Sequence, residues 1–201
     1  MTCAQTVHII EDDPGVRESL SLLLQSAGLE TRLHPSAVAF LQSEPPAGGC
    51  VVSDVRMPGM TGIELLEEIK KRRLPTPVIL MTAFADVPQA VKAMKLGAAD
   101  FVEKPFDDEL MISSVRSVLA RSGDDGAAAA REKLENLTAR EKEVLAGLLK
   151  GKLNKTIAYE LGVSVRTVET HRANLMTKTQ ARSLSELIRM SLLAEGPTLE
   201  S

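Results

Sequence analysis

The spacing of apolar residues changes character about two thirds of the way along the chain. Before that point, short runs rich in Val, Ile and Leu alternate with stretches whose apolar residues return every three or four positions. The runs VHII (7–10), ETRLH (30–34), CVVSD (50–54), TPVILM (76–81) and ADFVE (99–103) predict strands. RESLSLLLQSAG (17–28), SAVAFLQ (36–42), TGIELLEEIKKRR (61–73), DVPQAVKAMKLG (86–97) and FDDELMISSVRSVLARS (106–122) predict helices. Gly28 and Gly97 supply stops, basic residues crowd the end of 61–73, and acids open 106–122. Five strands alternating with five helices predict an α/β domain: a five-stranded parallel, doubly wound sheet covered on both faces.

SGDDGAAAA (122–130) breaks the alternation. We read 1–122 as the first domain, 123–132 as a linker that its alanines could stiffen into helix, and 133–201 as a second domain. The second domain reads as all-α, with helices at 137–152, 154–161, 165–179 and 184–194. Thr138 with Glu141, and Ser183 with Glu186, have the spacing of capping boxes.

Charge separates the halves. Residues 1–124 hold 12 Lys/Arg against 17 Asp/Glu, a net of −5; residues 125–201 hold 12 against 10, a net of +2. Within 138–182 the count is 9 against 4, a net of +5, which suits a nucleic-acid partner. The two cysteines, Cys3 and Cys50, have neither metal-ligand spacing nor a disulfide framework. No apolar run is long enough to span a membrane and no signal peptide opens the chain, so the expectation is a cytoplasmic protein without a membrane partner.

In a parallel α/β sheet, function gathers where strands end at their C-termini. Glu11, Asp12 and Asp13 follow the first strand, Asp54 ends the third, Thr82 follows the fourth and Lys104 the fifth. Clustered carboxylates repel one another unless a cation joins them, and oxygen-only ligands suit Mg²⁺. Carboxylate, Mg²⁺, hydroxyl and ammonium together make a phosphoryl-transfer site with Asp54 as nucleophile. A phosphohydrolase using an aspartyl nucleophile would want a second Asp two residues on, where Arg56 stands. Residues 5–122, through VHIIEDD, VVSDVRMPGMTGIELL, VILMTA and GAADFVEKPF, resemble the receiver domain of two-component response regulators, with a flavodoxin/CheY-like fold. That resemblance implies Asp54 as phosphoacceptor, Mg²⁺ on Asp12, Asp54 and the Arg56 carbonyl with Glu11 helping through water, Thr82 and Lys104 on the phosphoryl oxygens, and Phe101 as a switch aromatic. Glu11 stands where Asp is usual, and Phe101 lacks the hydroxyl of the frequent Tyr.

In the basic half, IAYELGVSVRTVETHRANLM has the helix, glycine turn and helix of a helix-turn-helix. Val165, Val168, Leu175 and Met176 fall on the expected core face, leaving Arg166, Glu169, Thr170, Ala173 and Asn174 outward. Lys152, Lys155, Arg166, Arg172, Lys178 and Arg182 are expected along phosphates, with Thr167 and His171 also at the DNA. LTAREKEVLAGLLKGKLNKTIAYELGVSVRTVETHRANLMTKTQARS resembles the effector domain of the NarL/LuxR group. Together the halves resemble the FixJ/NarL family. This implies a FixL-like sensor histidine kinase as phosphodonor, homodimerisation on phosphorylation, and binding to double-stranded promoter DNA and RNA polymerase. It also implies activation of nitrogen-fixation genes at low oxygen. The chain would then be a phosphoacceptor that supports its own phosphotransfer and slow dephosphorylation, not an enzyme. A receiver-linked protein-interaction module is the other reading. The expected dimer face is Val87, Val91, Lys92, Lys95, Asp100 and Glu103, repacked when Thr82 moves inward and Phe101 follows.

Overall fold

A computed structural model describes residues 6–43, 49–83, 87–120 and 127–195. Cys3 and the expected linker residues 123–126 lie outside them. The first part follows the predicted alternation: β1 (Thr6–Ile10), α1 (Pro14–Ser26), β2 (Glu30–His34), α2 (Ala37–Gln42), β3 (Cys50–Asp54), α3 (Gly62–Lys71), β4 (Val78–Thr82), α4 (Val87–Lys95), β5 (Asp100–Glu103) and α5 (Asp108–Ala120). The strands form one parallel sheet in the order β2-β1-β3-β4-β5. β3 is the middle strand, so both faces and both edges are covered and every residue from Cys50 to Asp54 is buried. β2 is an edge strand and exposes most of its residues, which is why its sequence is the least apolar of the five.

One face of the sheet buries Val7, Ile9, Val52, Ile79 and Met81 against α1 and α5, which contribute Leu20, Leu24, Met111 and Val115. On the other face His8 meets Phe40 of α2. Both helices that follow the site's acidic strands start on side-chain caps. Asp13 accepts from Val16 N–H at 2.9 Å ahead of Pro14, and Thr61 and Glu64 form a reciprocal capping box. Helix α1 therefore begins three residues before the expected position.

The second part contains α6 (Ala127–Glu135), α7 (Ala139–Leu149), α8 (Asn154–Leu161), α9 (Val165–Thr179) and α10 (Leu184–Glu195). The four predicted helices are present, preceded by a fifth. Residues 127–132 of the expected linker form most of α6, which packs against α10; this is the helical outcome that its alanines allow. Val144, Leu148, Ile157, Val168, Leu175 and Leu187 form the core of this part. The Thr138–Glu141 capping box is complete. Gly162 ends α8 in the left-handed region at φ 65°, so the turn into α9 needs no strained side chain. Val165 departs from expectation: it opens α9 and is exposed, because the first helical position after the Ser164 cap precedes the buried stripe. Met176 is half-buried against the core. The chain divides into two compact units, residues 1–85 with 96–121 and residues 86–95 with 122–201, so α4 counts with the second unit.

Candidate phosphoacceptor site and nucleic-acid interface

The strand ends bring together three of the predicted groups. Lys104 Nζ lies 2.6 Å from Asp54 Oδ1 and 2.7 Å from Glu11 Oε2. Lys104 directly follows β5, which pairs with β4. The other Asp54 oxygen, Oδ2, accepts the Arg56 N–H at 2.6 Å. Asp54 is 7% exposed and Glu11 4%, so two carboxylates and one ammonium sit in a largely dry cleft. Burial pushes the Glu11 carboxyl above its usual range, with the Lys104 ammonium pulling against it. Burial also works against the charge on Lys104, but its two carboxylate partners outweigh this and hold the ammonium above the ordinary lysine value.

Thr82 is buried at the end of β4, beside β5, and Phe101 is buried within β5. Asp12 is exposed on the loop after Glu11. Asp13, the third acid of the run, caps α1 and is not a member of the cleft. Its N-cap role was readable in the Asp-Pro pair at a helix start. Among the described residues no group of three or more His, Cys, Asp or Glu side chains converges as a metal cage. The donor set nevertheless suits Mg²⁺. Glu11 and Asp54 already share one cation, all donors are oxygen, and Mg²⁺ is ordinarily held by one or two carboxylates with carbonyl oxygen and water completing its shell.

Two contacts went unpredicted. Arg17 Nη1 donates to the Glu11 carbonyl at 2.6 Å and more weakly to that of Asp12 at 3.4 Å. A Cβ on Gly62 would overlap the Asp54 carbonyl oxygen, so α3 starts hard against the back of Asp54. Long-range closeness of this kind leaves no mark on local periodicity.

The expected dimer face is only partly exposed. Lys92, Lys95 and Glu103 are exposed and Val87 is half-buried, but Val91 is buried. It lies with Ala90, Ala93 and Met94 on the apolar stripe of α4. Asp100 is half-buried: Oδ1 accepts from Phe101 N–H at 2.8 Å and Oδ2 from Ser114 Oγ at 2.6 Å.

On α9, Arg166, Glu169, Thr170, Ala173 and Asn174 are exposed as expected, and Lys155 is exposed on α8. Other expected DNA contacts are engaged within the protein. Lys152 Nζ pairs with both Glu160 oxygens at 2.6 Å, and Lys178 Nζ with Glu141 Oε2 at 2.8 Å. Arg172 Nη1 donates to Asn154 Oδ1 at 2.8 Å, tying α9 to the start of α8. Thr167 Oγ1 lies 2.8 Å from the Ser164 hydroxyl at the helix cap, Thr170 Oγ1 donates to the Arg166 carbonyl, and His171 is half-buried.

Comparison with known proteins gives a family for each part. A family model described as the response regulator receiver domain matches residues 7–116, and one described as bacterial regulatory proteins of the luxR family matches 135–191. The chain is 54% identical over 194 residues to the transcriptional regulatory protein FixJ of Azorhizobium caulinodans, covering 94% of this chain and 92% of that protein. It is 43% identical over 196 residues to the C4-dicarboxylate transport transcriptional regulatory protein DctR of Rhodobacter capsulatus, covering 92% and 98%. Among solved structures, full-length FixJ from B. japonicum is similar with a TM-score of 0.56 and 46% identity, covering 96% of this chain and 98% of that one.

Proposed function

The chain belongs to the FixJ-like response regulators, phosphorylation-activated transcription regulators that join a receiver to a LuxR-type DNA-binding domain, and on that premise we propose how its own residues do the work. Asp54 is the phosphoacceptor. The observation that carries this is the Asp54 carboxylate at the end of the central strand, held by Lys104 at 2.6 Å and by the Arg56 N–H at 2.6 Å. An Asp54 oxygen forms the new P–O bond as the donor's bond to phosphorus breaks, and the donor's leaving group departs on the opposite side. Lys104 exchanges its carboxylate contact for one to the incoming phosphoryl oxygens, and the Thr82 hydroxyl donates to another.

Receiver domains bind Mg²⁺ at this position, where the ion neutralises charge on the transferring group. In this chain Asp12, Asp54 and the Arg56 carbonyl would hold it, with Glu11 acting through water. The phosphodonor is a FixL-like sensor kinase. Phosphorylation shifts Thr82 and Phe101 by packing alone, and favours a homodimer through the exposed Lys92, Lys95 and Glu103. The dimer then presents two copies of α9 to promoter DNA and contacts RNA polymerase. The working domains are 1–122 and 133–201. Among the described residues no helix is long and apolar enough to cross a membrane; we place the protein in the cytoplasm.

For gene targets, the greater identity to FixJ favours nitrogen-fixation promoters at low oxygen. The DctR relative keeps a second reading in view, control of a transport operon. Incubation with a low-molecular-weight phosphodonor and Mg²⁺, followed by intact-mass measurement, tests the site. Wild type should gain one phosphoryl group and Asp54→Asn none. Equal labelling of Asp54→Asn would remove Asp54 from this role.

A further inference from the structure

We propose that Arg17 is a positioning residue for the cation site: its guanidinium grips the main chain of Glu11 and Asp12 and fixes where the Asp12 side chain leaves the backbone. Sequence and fold leave Asp12 little other support. β1 ends at Ile10, so the Glu11 carbonyl lies past the strand's ladder, on a loop that must turn into α1 within three residues. Glu11 is fixed at its N–H by the His34 carbonyl at 3.3 Å and at its side chain by Lys104. Asp13 is fixed by capping α1. Among the described residues no hydrogen bond or ion pair is made by the Asp12 carboxylate, which is exposed. The backbone therefore supplies what positioning it has, by aiming its Cα–Cβ bond. Arg17, half-buried in the first turn of α1, folds back and donates to the Glu11 carbonyl at 2.6 Å and, at 3.4 Å, to that of Asp12.

The charge of Arg17 makes this placement informative. A cation in the first turn of a helix works against the helix dipole. Beside a site that takes up another cation, it also repels the ligand. Acting by charge alone, Arg17 would weaken Mg²⁺ binding and its removal would tighten it. Acting through the main-chain grip, its removal weakens binding. The two roles differ in sign.

This inference rests on reading Glu11, Asp12 and Asp54 as the cation site, and the experiment separates the two. Mg²⁺ is titrated calorimetrically into the full chain as wild type, Arg17→Gln, Arg17→Met, Arg17→Lys and Asp12→Ala. Arg17→Gln and Arg17→Met, the second of which keeps the apolar stem, should bind Mg²⁺ about tenfold more weakly, at the low end of the effect of outer-shell partners. Arg17→Lys keeps one donor for the Glu11 carbonyl and should recover most of the affinity. At saturating Mg²⁺ all three Arg17 variants should still be labelled at Asp54. Unchanged or tighter binding by Arg17→Gln and Arg17→Met, or no recovery by Arg17→Lys, would overturn the proposal. If Asp12→Ala binds Mg²⁺ as well as wild type, the cation-site reading itself fails. If Asp12→Ala loses Mg²⁺ and the Arg17 variants do not, only the role of Arg17 falls.

Discussion

Acid should destabilise the receiver through a buried pair of imidazoles. His8 on β1 and His34 on β2 are 1% and 7% exposed, with His8 Nδ1 3.0 Å from His34 Nε2 and both rings edge-on to Phe40. The short contact needs one proton between the two nitrogens. His8 Nε2 is buried without a protein partner, which costs less for a lone pair than for an N–H; the favoured tautomer therefore has His8 Nδ1–H donating to His34. A second proton would either set two N–H groups against each other or move the His8 proton to its unpartnered, buried Nε2. Burial lowers both pKa values, with Arg32 adding to the effect, and His34, which also feels His8, falls from 6.5 to about 4. Unfolded His34 takes up its proton near pH 6.5 and the folded residue only near 4. The contribution is thus fully present above 6.5 and is lost as pH falls toward 4. In that window the unfolded state holds one more proton, so stability drops by about 1.4 kcal/mol per pH unit, on the order of 3 kcal/mol in all. That is a large share of a typical domain's stability. Glu11 acts in the opposite sense, since its raised pKa favours the folded state on protonation. The comparison must therefore isolate the imidazole. Urea unfolding followed by circular dichroism from pH 7.5 to 4.5, on wild type and His34→Gln, does so. Wild type should lose stability on acidification faster than the variant, by most of that amount at pH 4.5. Parallel pH profiles would refute the reasoning.

Three further outcomes are expected. Gly62→Ala drives a methyl into the Asp54 carbonyl, with Leu80 Cδ2 only 3.1 Å from the new atom, and should cost about 1–3 kcal/mol in urea unfolding and slow the labelling of Asp54. Gly147→Ala puts its methyl 2.8 Å from Ile157 Cγ1, and should destabilise the helical part by a similar energy, read as a lower melting temperature. Lys155→Ala should weaken DNA retention alike on all sequences and reduce the salt slope by about one, whereas Glu169→Ala should change the preferred sequence in a binding-site selection.

Much of this architecture is legible in the chain because local pattern and tertiary burial agree. VVSD reads as a buried strand since β3 is buried on every side, and Thr138 with Glu141 reads as a helix start because both halves of the box form. Legibility fails where one signal serves two outcomes. Asp13 reads both as a member of an acidic run and as a helix start, and it caps α1; the alanines at 127–130 read both as spacer and as helix, and they belong to α6. It fails again where partners lie far apart in sequence. Composition cannot tell a lysine that faces DNA from Lys178, which meets Glu141 across 37 residues, nor reveal that Arg172 ties α9 to Asn154. Of the receiver site, the strand-end groups Asp54, Glu11 and Lys104 were predictable because topology alone brings strand ends together. Arg17 and Gly62 were not, because their roles depend on how α1 and α3 lean on the loops.

The central claim is that phosphorylation of Asp54 raises DNA occupancy by the α9 surface. The most direct measurement is retention of one promoter fragment at fixed salt by the full chain, before and after treatment with phosphodonor and Mg²⁺, for wild type and Asp54→Asn. Wild type should gain affinity on treatment and Asp54→Asn should not. Equal gain by both proteins, or no gain by a wild type shown to be fully phosphorylated, would contradict the account.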